Sequence, residues 1–410
     1  MIKRLGSARS LLASTAGIAI AMALMNVGTY SFQMVAARLL GPVQYGAIAS
    51  LMALMLVVGV VQLGLQATAA RRIAAEPEHV ARIEREMLRL AYRVTAVLAL
   101  ALLALAPVID RALKLGSLAT AAMVAVTSIP LTIMGAQAGI LQGERRWLPL
   151  SLLYLAVGVP RVLIGAAMMW WQPTALSGMT AVAIGLLLPV AIGAVALRRR
   201  RREAGEAPEH NVRALLRETA YSSQALLAFY VLINADILVA RNALDEHQSG
   251  LYAAGLILAK AVLFLPQFVI VVAFPSLSDT SERRTALFRG LGLVAVIGAI
   301  SLAGSVLLSP IAMVFVGGDA YGEIEGDLWA FAILGTLMAM LQLLVYAGLA
   351  RQGRRAVYLV WFAAALLVLL GPAITTGREA LLGFLIVLDG GLFVVLLGIS
   401  LYRMREPARA

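Results

Sequence analysis

The stretch VAARLLGPVQYGAIAS, residues 35–50, has a counterpart in LVARNALDEHQSGLYAAG, residues 238–255. In each, an apolar run ends at an arginine, a short turn follows, and the apolar run restarts at a glycine. Aligning Arg38 with Arg241 gives an offset of 203, and aligning Gly46 with Gly250 gives 204. That offset is half of the 410-residue chain, so the corner points to an internal duplication.

The runs flanking the corner are membrane-like. Hydrophobic residues make up 61% of the chain and charged residues 14%, with a mean hydropathy of +0.89; a soluble domain carries nearer a quarter charged residues. Apolar stretches of about 20 residues recur, each long enough to cross roughly 30 Å of hydrocarbon as a helix. They are continuous rather than alternating ten-residue segments, which predicts helices and not a β-barrel. The expected spans are 12–34, 46–69, 90–109, 118–140, 148–171, 174–197, 220–240, 251–272, 290–309, 328–349, 356–376 and 380–401. The first follows Lys3, Arg4 and Arg9, as a signal peptide would. Its apolar part is longer than a signal core, and no small-residue cleavage site follows, so it is read as a retained helix.

Charge sets the expected orientation. With the N-terminus inside, the inner segments hold 26 Lys and Arg and the outer turns hold 5, namely Arg38, Arg111, Lys114, Arg241 and Arg378. That asymmetry is a strong positive-inside signal and places both termini in the cytoplasm. It also accounts for the net charge of +12 without any nucleic acid partner; the remaining attraction is toward anionic lipid headgroups. The chain has no cysteine, so disulfides, thiol chemistry and cysteine metal sites are excluded. His79, His210 and His247 fall in loops without metal-ligand spacing, and no cofactor site is expected.

Twelve spans repeated at half length pair the first with the seventh and the second with the eighth, in the same orientation. Parallel repeats of this kind are related by an axis along the membrane normal, with substrate handled between them. The reading is therefore an all-α polytopic membrane protein of about twelve helices in two six-helix lobes, residues 1–205 and 206–410. A basic cytoplasmic linker, 198–217, joins them. Val212, Leu215 and Leu216 give the linker's second half an amphipathic character suited to the membrane surface.

The segments ARLLGPVQYGAIASLMALM and VQLGLQATAARRIA (37–55 and 61–74) resemble the amino-terminal signature of the polysaccharide transporter family. SGLYAAGLILAKAVLFLPQFVIVVAFPSLSD (249–279), with Gly250, Tyr252, Pro266 and Pro275, resembles its second-lobe counterpart. That family flips lipid-linked oligosaccharides and belongs to the multidrug/oligosaccharidyl-lipid/polysaccharide exporter superfamily. The resemblance implies a V of two lobes around a cavity open alternately to either side of a bacterial inner membrane. It also implies polysaccharide polymerase and export machinery as partners. Arg38, Gly41, Tyr45 and Gly46 are read as shaping a tight outer turn, in which glycine accepts positive φ.

Ionisable residues inside spans cost roughly 2.5–3.5 kcal/mol each on insertion scales, so each needs a reason. Arg93 lies near a span end and can snorkel. Arg161, directly after Pro160 in the fifth span, suits an anion: a sugar carboxylate or the pyrophosphate of a polyprenyl carrier. The alternative is an interhelical partner. Lys260, sharing a face with Gln267, suits the same anionic cargo, or pairs with Asp236 or Asp389. Asp236 and Asp389 are candidates for H⁺ or Na⁺ coupling, or for neutralising Lys260 or Arg161. Asn26, Tyr30 and Gln33 form one stripe, and Ser223, Tyr230, Asn234 and Arg241 another; both suit sugar recognition or interhelical hydrogen bonds. Asp236 falls roughly 200° around its helix from Asn234, so the two do not face one cavity squarely. Pro130, Pro160, Pro189, Pro266 and Pro372 interrupt five spans as candidate hinges.

The expected function is a flippase for an anionic lipid-linked oligosaccharide. A cation-coupled multidrug exporter is the alternative, although central Arg161 and Lys260 oppose a cationic cargo; a peptidoglycan-precursor flippase is a neighbour of the same class. An enzyme is disfavoured. The longest outer connection, VGGDAYGEIEGD (316–327), has acids but no histidine and no nucleotide or metal motif, and is read as a solvated link.

Overall fold

A computed structural model describes residues 15–198, 212–264, 283–349 and 354–405. Pro266, Gln267, Pro275 and most of the linker 198–217 lie outside them. Every regular element among the described residues is helical: α1 (Thr15–Ala75), α2 (Val80–Ala112), α3 (Leu118–Gly143), α4 (Trp147–Trp171), α5 (Ala175–Gly185), α6 (Leu187–Leu197), α7 (Val212–Ala243), α8 (Glu246–Phe264), α9 (Arg283–Leu307), α10 (Ser309–Val316), α11 (Leu328–Leu349), α12 (Arg354–Ile374) and α13 (Arg378–Arg405), with short 3-10 segments at Pro77–His79 and Asp319–Asp327.

Nine described helices are long and apolar enough to cross a membrane. One of them, Gly17–Ala75, has 59 residues, about 88 Å at 1.5 Å per residue and enough for two crossings. It is bent at Gly41, whose φ of 68° and ψ of 173° no helix contains. The positive φ expected at this corner is therefore present at Gly41, and Pro42 follows it with no N–H to continue the ladder. Gly46, expected to serve the turn, lies within the resumed helix and serves packing instead. The sixth span also differs from expectation: it is two helices, α5 and α6, meeting at Leu186. Pro189 supplies no amide for the carbonyl four residues earlier, which is that of Gly185, and the ladder breaks there.

The chain divides into two compact units: Met1–Leu40 with Leu54–Gln224, and Gly41–Ala53 with Ala225–Ala410. In the first, α3 is the central helix, with 56% of its apolar window buried against 22% for α2. Gly135, Gly139 and Gly143 line one edge of α3 at four-residue spacing, and α1 lies directly on them. A Cβ on Gly139 would strike the backbone carbonyl of Gln66, and one on Gly143 would come within 2.8 Å of Ile73 Cβ. This is the small-residue seam by which membrane helices approach closely when lipid offers no hydrophobic drive. α4 packs on the first arm of α1 in the same way, Gly158 against Gly28.

In the second unit α11 is central, 72% buried over its window against 28% for both α9 and α12. Gly255 and Gly335 permit its contacts with α8: a Cβ on Gly335 would meet the Ala259 carbonyl, and one on Gly255 the Phe331 ring.

Helix α3 ends with Arg145 at φ 54°, and the Arg146 amide reaches back to the Leu141 carbonyl at 2.9 Å. This is a left-handed cap built on a residue with a Cβ, which costs about 1 kcal/mol relative to glycine. The arginine charge near the helix C-terminus returns only a few tenths of that. Arg145→Gly is expected to raise the melting temperature of purified protein; a lower one would show that the Arg145 side chain matters more than its backbone.

Candidate functional site

In the first unit the structure buries Arg161, leaving 8% of it exposed. Its Cζ lies 5.8 Å from the centroid of the Phe32 ring, a cation–π contact. Nε is buried with no hydrogen-bond partner among the described residues. Among the described residues of this unit, no carboxylate pairs with this guanidinium. Gly185, where α5 ends, packs on the Arg161 backbone; a Cβ there would lie 3.3 Å from Arg161 Cα. The break between α5 and α6 and the Pro160–Arg161 pair in α4 thus stand side by side.

Asn26, Tyr30 and Gln33 are half-buried on one stripe of α1, and each has a partner of its own. Phe32 lies about 130° around α1 from that stripe. Helical geometry therefore does not bring Arg161 and the Asn26–Tyr30–Gln33 face together.

In the second unit the α7–α8 hairpin gathers the predicted polar residues. Lys260 Nζ donates to Asn234 Oδ1 at 2.9 Å, and Asn234 Nδ2 donates to the Tyr230 carbonyl at 2.8 Å. Tyr252 donates its hydroxyl to Asp236 Oδ2 at 3.0 Å. Asn234 and Asp236 are fully buried, while Lys260 keeps 8% exposure and Asp389, on α13, 2%. Both are enclosed despite lying on different sides of α7, because α8 supplies a partner to each. Asp236 interacts electrostatically with Lys260, and Asp389 with Asp236. Asp236 Oδ1 and Asp389 Oδ1 have no hydrogen-bond partner among the described residues. The cluster thus holds one ammonium and two carboxylates. Of the stripe expected on α7, Arg241 turns to the corner, donating to Ser249 Oγ at 3.1 Å; its repeat partner Arg38 is exposed. The side chain of Ser223, like the position of Gln267, is outside what the structure describes.

The 316–327 connection is more than a solvated link. Arg378, the first residue of α13, donates to Asp327 Oδ2 at 2.9 Å, to Gln248 Oε1 at 3.0 Å and to the Glu323 carbonyl at 2.6 Å. His247 Nε2 lies 2.8 Å from Glu323 Oε1. One guanidinium thereby ties the ends of α8, α11 and α13. Tyr321, in the same connection, meets Tyr45 edge-on at 6.3 Å. The partners of Arg378 lie 51 to 130 residues away in sequence, and no local signal announces them.

Against known proteins, the family described as "Polysaccharide biosynthesis protein" matches residues 14–281. The chain belongs to that family. Its fold is shared with transporters of the MOP superfamily. An inward-facing multidrug resistance MATE family transporter superposes with a TM-score of 0.74 at 14% identity, over 93% of this chain and 94% of that one. A eukaryotic MATE transporter, AtDTX14, gives 0.65 at 12% identity, over 97% and 96%. A superfamily transporter from Pyrococcus furiosus, described as having a binding pocket of reverse polarity that suggests a different function, gives 0.64 at 15%, over 97% and 95%. At these identities the likeness is one of fold. No curated protein sequence matches the chain significantly. This family member is a multi-pass membrane protein with the architecture of an exporter.

Proposed function

We propose that the protein is a flippase of the bacterial inner membrane, moving a polyprenyl-pyrophosphate-linked oligosaccharide outward for cell-surface polysaccharide. The observation that carries this reading is Arg161. A nearly buried guanidinium with no counter-ion among the described residues of its unit is costly unless a charge arrives to meet it. Its planar fork suits a phosphate or a sugar carboxylate, and its face is already held by Phe32. Family membership supports the cargo class. In this proposal the lobes 1–205 and 206–410 open alternately, both termini are cytoplasmic, and Asn26, Tyr30, Gln33 and Tyr230 meet the glycan, with the buried Asn234 holding Lys260. Asp236 and Asp389 carry H⁺ or Na⁺, since two carboxylates beside one ammonium leave room for one more positive charge. Polysaccharide polymerase and export machinery receive the product.

Arg161→Ala removes a charge-assisted contact of about 1.5–3 kcal/mol, which is roughly a 10- to 100-fold loss of transport. Lipid-linked precursor is expected to accumulate in the inner leaflet while folded protein stays at its normal level. Unchanged polymer export from such cells would remove the assignment. A cation-coupled multidrug exporter is the second reading, favoured by the two buried carboxylates; altered drug resistance in a deletion strain, with polysaccharide intact, would select it.

A further inference from the structure

We propose that Gln66, Gln142 and Tyr154 form a neutral sugar-binding subsite at the Arg-rich end of the first unit, on the same face of α4 as Arg161. The inference rests on the flippase reading and assigns a place to the glycan rather than to its phosphate.

Three helices bring these residues together. Gln66 Nε2, on α1, donates to Gln142 Oε1 on α3 at 3.0 Å and to the Tyr154 hydroxyl on α4 at 2.9 Å. Both hydrogens of that amide are then used. Left over are the Gln66 carbonyl oxygen, the Gln142 amino group and the Tyr154 hydroxyl hydrogen, none with another described partner. One acceptor and several donors around an aromatic edge match the alternating needs of vicinal sugar hydroxyls. No charged side chain takes part in this hydrogen-bond set, so it does not compete for the phosphate.

Position supports the assignment. Tyr154 precedes Arg161 by seven residues, two turns of helix, so their side chains lie on one face about 10.5 Å apart along the axis. Gln142 is exposed and stands one residue from the end of α3, beside Arg145 and Arg146. The positive-inside asymmetry makes this the cytoplasmic end, where a cargo assembled on the inner leaflet would first meet the protein. A headgroup with its phosphate at Arg161 thus extends its sugars toward the triad.

Packing fixes the triad before any ligand arrives. Gly139 lets the Gln66 backbone rest on α3, since any Cβ there would strike the Gln66 carbonyl. The α1–α3 contact is therefore already made by backbone fit, and the amide bridge adds little to it; interhelical hydrogen bonds in membranes are worth about 0.6 kcal/mol on average. Side chains so held are preorganised for a partner.

The test places the photoreactive residue p-benzoylphenylalanine at position 142 of the full chain, in its native membrane, with lipids labelled by radioactive phosphate. Position 163 serves as a lipid-facing control, Leu163 being 66% exposed. Irradiation is expected to attach label at 142 through the sugar, released by mild acid, which cleaves the glycosyl–phosphate bond and spares phospholipid esters. Acid-labile label at 142 no greater than at 163 would overturn the subsite; precursor accumulation in Arg161→Ala cells would then keep the flippase reading intact. In parallel, Tyr154→Phe deletes one hydroxyl and keeps the ring. A transport loss of about three- to tenfold with unchanged melting temperature supports the subsite. A lowered melting temperature with full transport shows the triad to be only a tie between helices.

Discussion

Gly250→Val yields no folded protein. The two corners that resemble each other in sequence also touch: a Cβ on Gly46 would lie 2.9 Å from Gly250 Cα, and a Cβ on Gly250 would run into the Pro42 carbonyl. In both cases the obstacle is backbone, which cannot rotate aside as a side chain can. The surroundings are closed as well, with Tyr45 at 1% and Tyr252 at 0% exposure. Overpacking ordinarily costs about 1–3 kcal/mol. Here a branched side chain would have to separate two helices, and the cost exceeds about 3 kcal/mol, a large share of a typical folding free energy. Gly250→Ala should be milder and still destabilising. Gly304→Ala, on a face with nothing within 4 Å, should be neutral or stabilising by up to about 1 kcal/mol through helix propensity. Size-exclusion profiles and melting curves of the three variants check the ranking; wild-type behaviour of Gly250→Val would show that the corner contact does not hold the unit together.

That contact shows what the sequence makes legible and what it hides. The repeat offset found Gly46 and Gly250 because both corners obey one rule, an arginine, a turn, and a glycine. The reason for Gly46 was hidden, because a glycine needed for close approach reads the same as one needed for φ. Gly41 took the positive φ, which glycine adopts without a Cβ clash. The seam at Gly135, Gly139 and Gly143 had a readable signal in its four-residue spacing, yet hydropathy alone passes over it. Burial of Arg161 follows from its place within an apolar run beside a proline. That no described carboxylate of its unit pairs with it depends on which helices pack against α4, and no local pattern encodes that. Arg378 was counted only as a topological charge, since its partners come from the start of α8 and from the 316–327 connection.

Lys260→Met is expected to be the most damaging single change in the second unit's polar cluster, and the double variant with Asp236→Asn to recover most of the loss. Lys260 is the positive group that interacts with Asp236, while Asp389 is a second carboxyl group that interacts with Asp236. Removing the ammonium leaves those carboxylates in a buried space where Tyr252 satisfies one oxygen of Asp236. Breaking one partner of a buried pair costs about 3–5 kcal/mol, whereas replacing both by neutral groups of similar volume is often neutral. Asp236→Asn alone should cost less, because Lys260 keeps the Asn234 carbonyl oxygen at 2.9 Å. Melting temperatures of both singles and the double give the coupling energy, and additive losses would show that the two residues act independently. Transport in the refolded double then decides what the lysine is for. A double variant that folds and still moves precursor makes Lys260 an internal counter-charge, and the anion falls to Arg161 alone. A double variant that folds and does not transport makes the ammonium a second contact for the cargo, one that Asp236 neutralises between cycles.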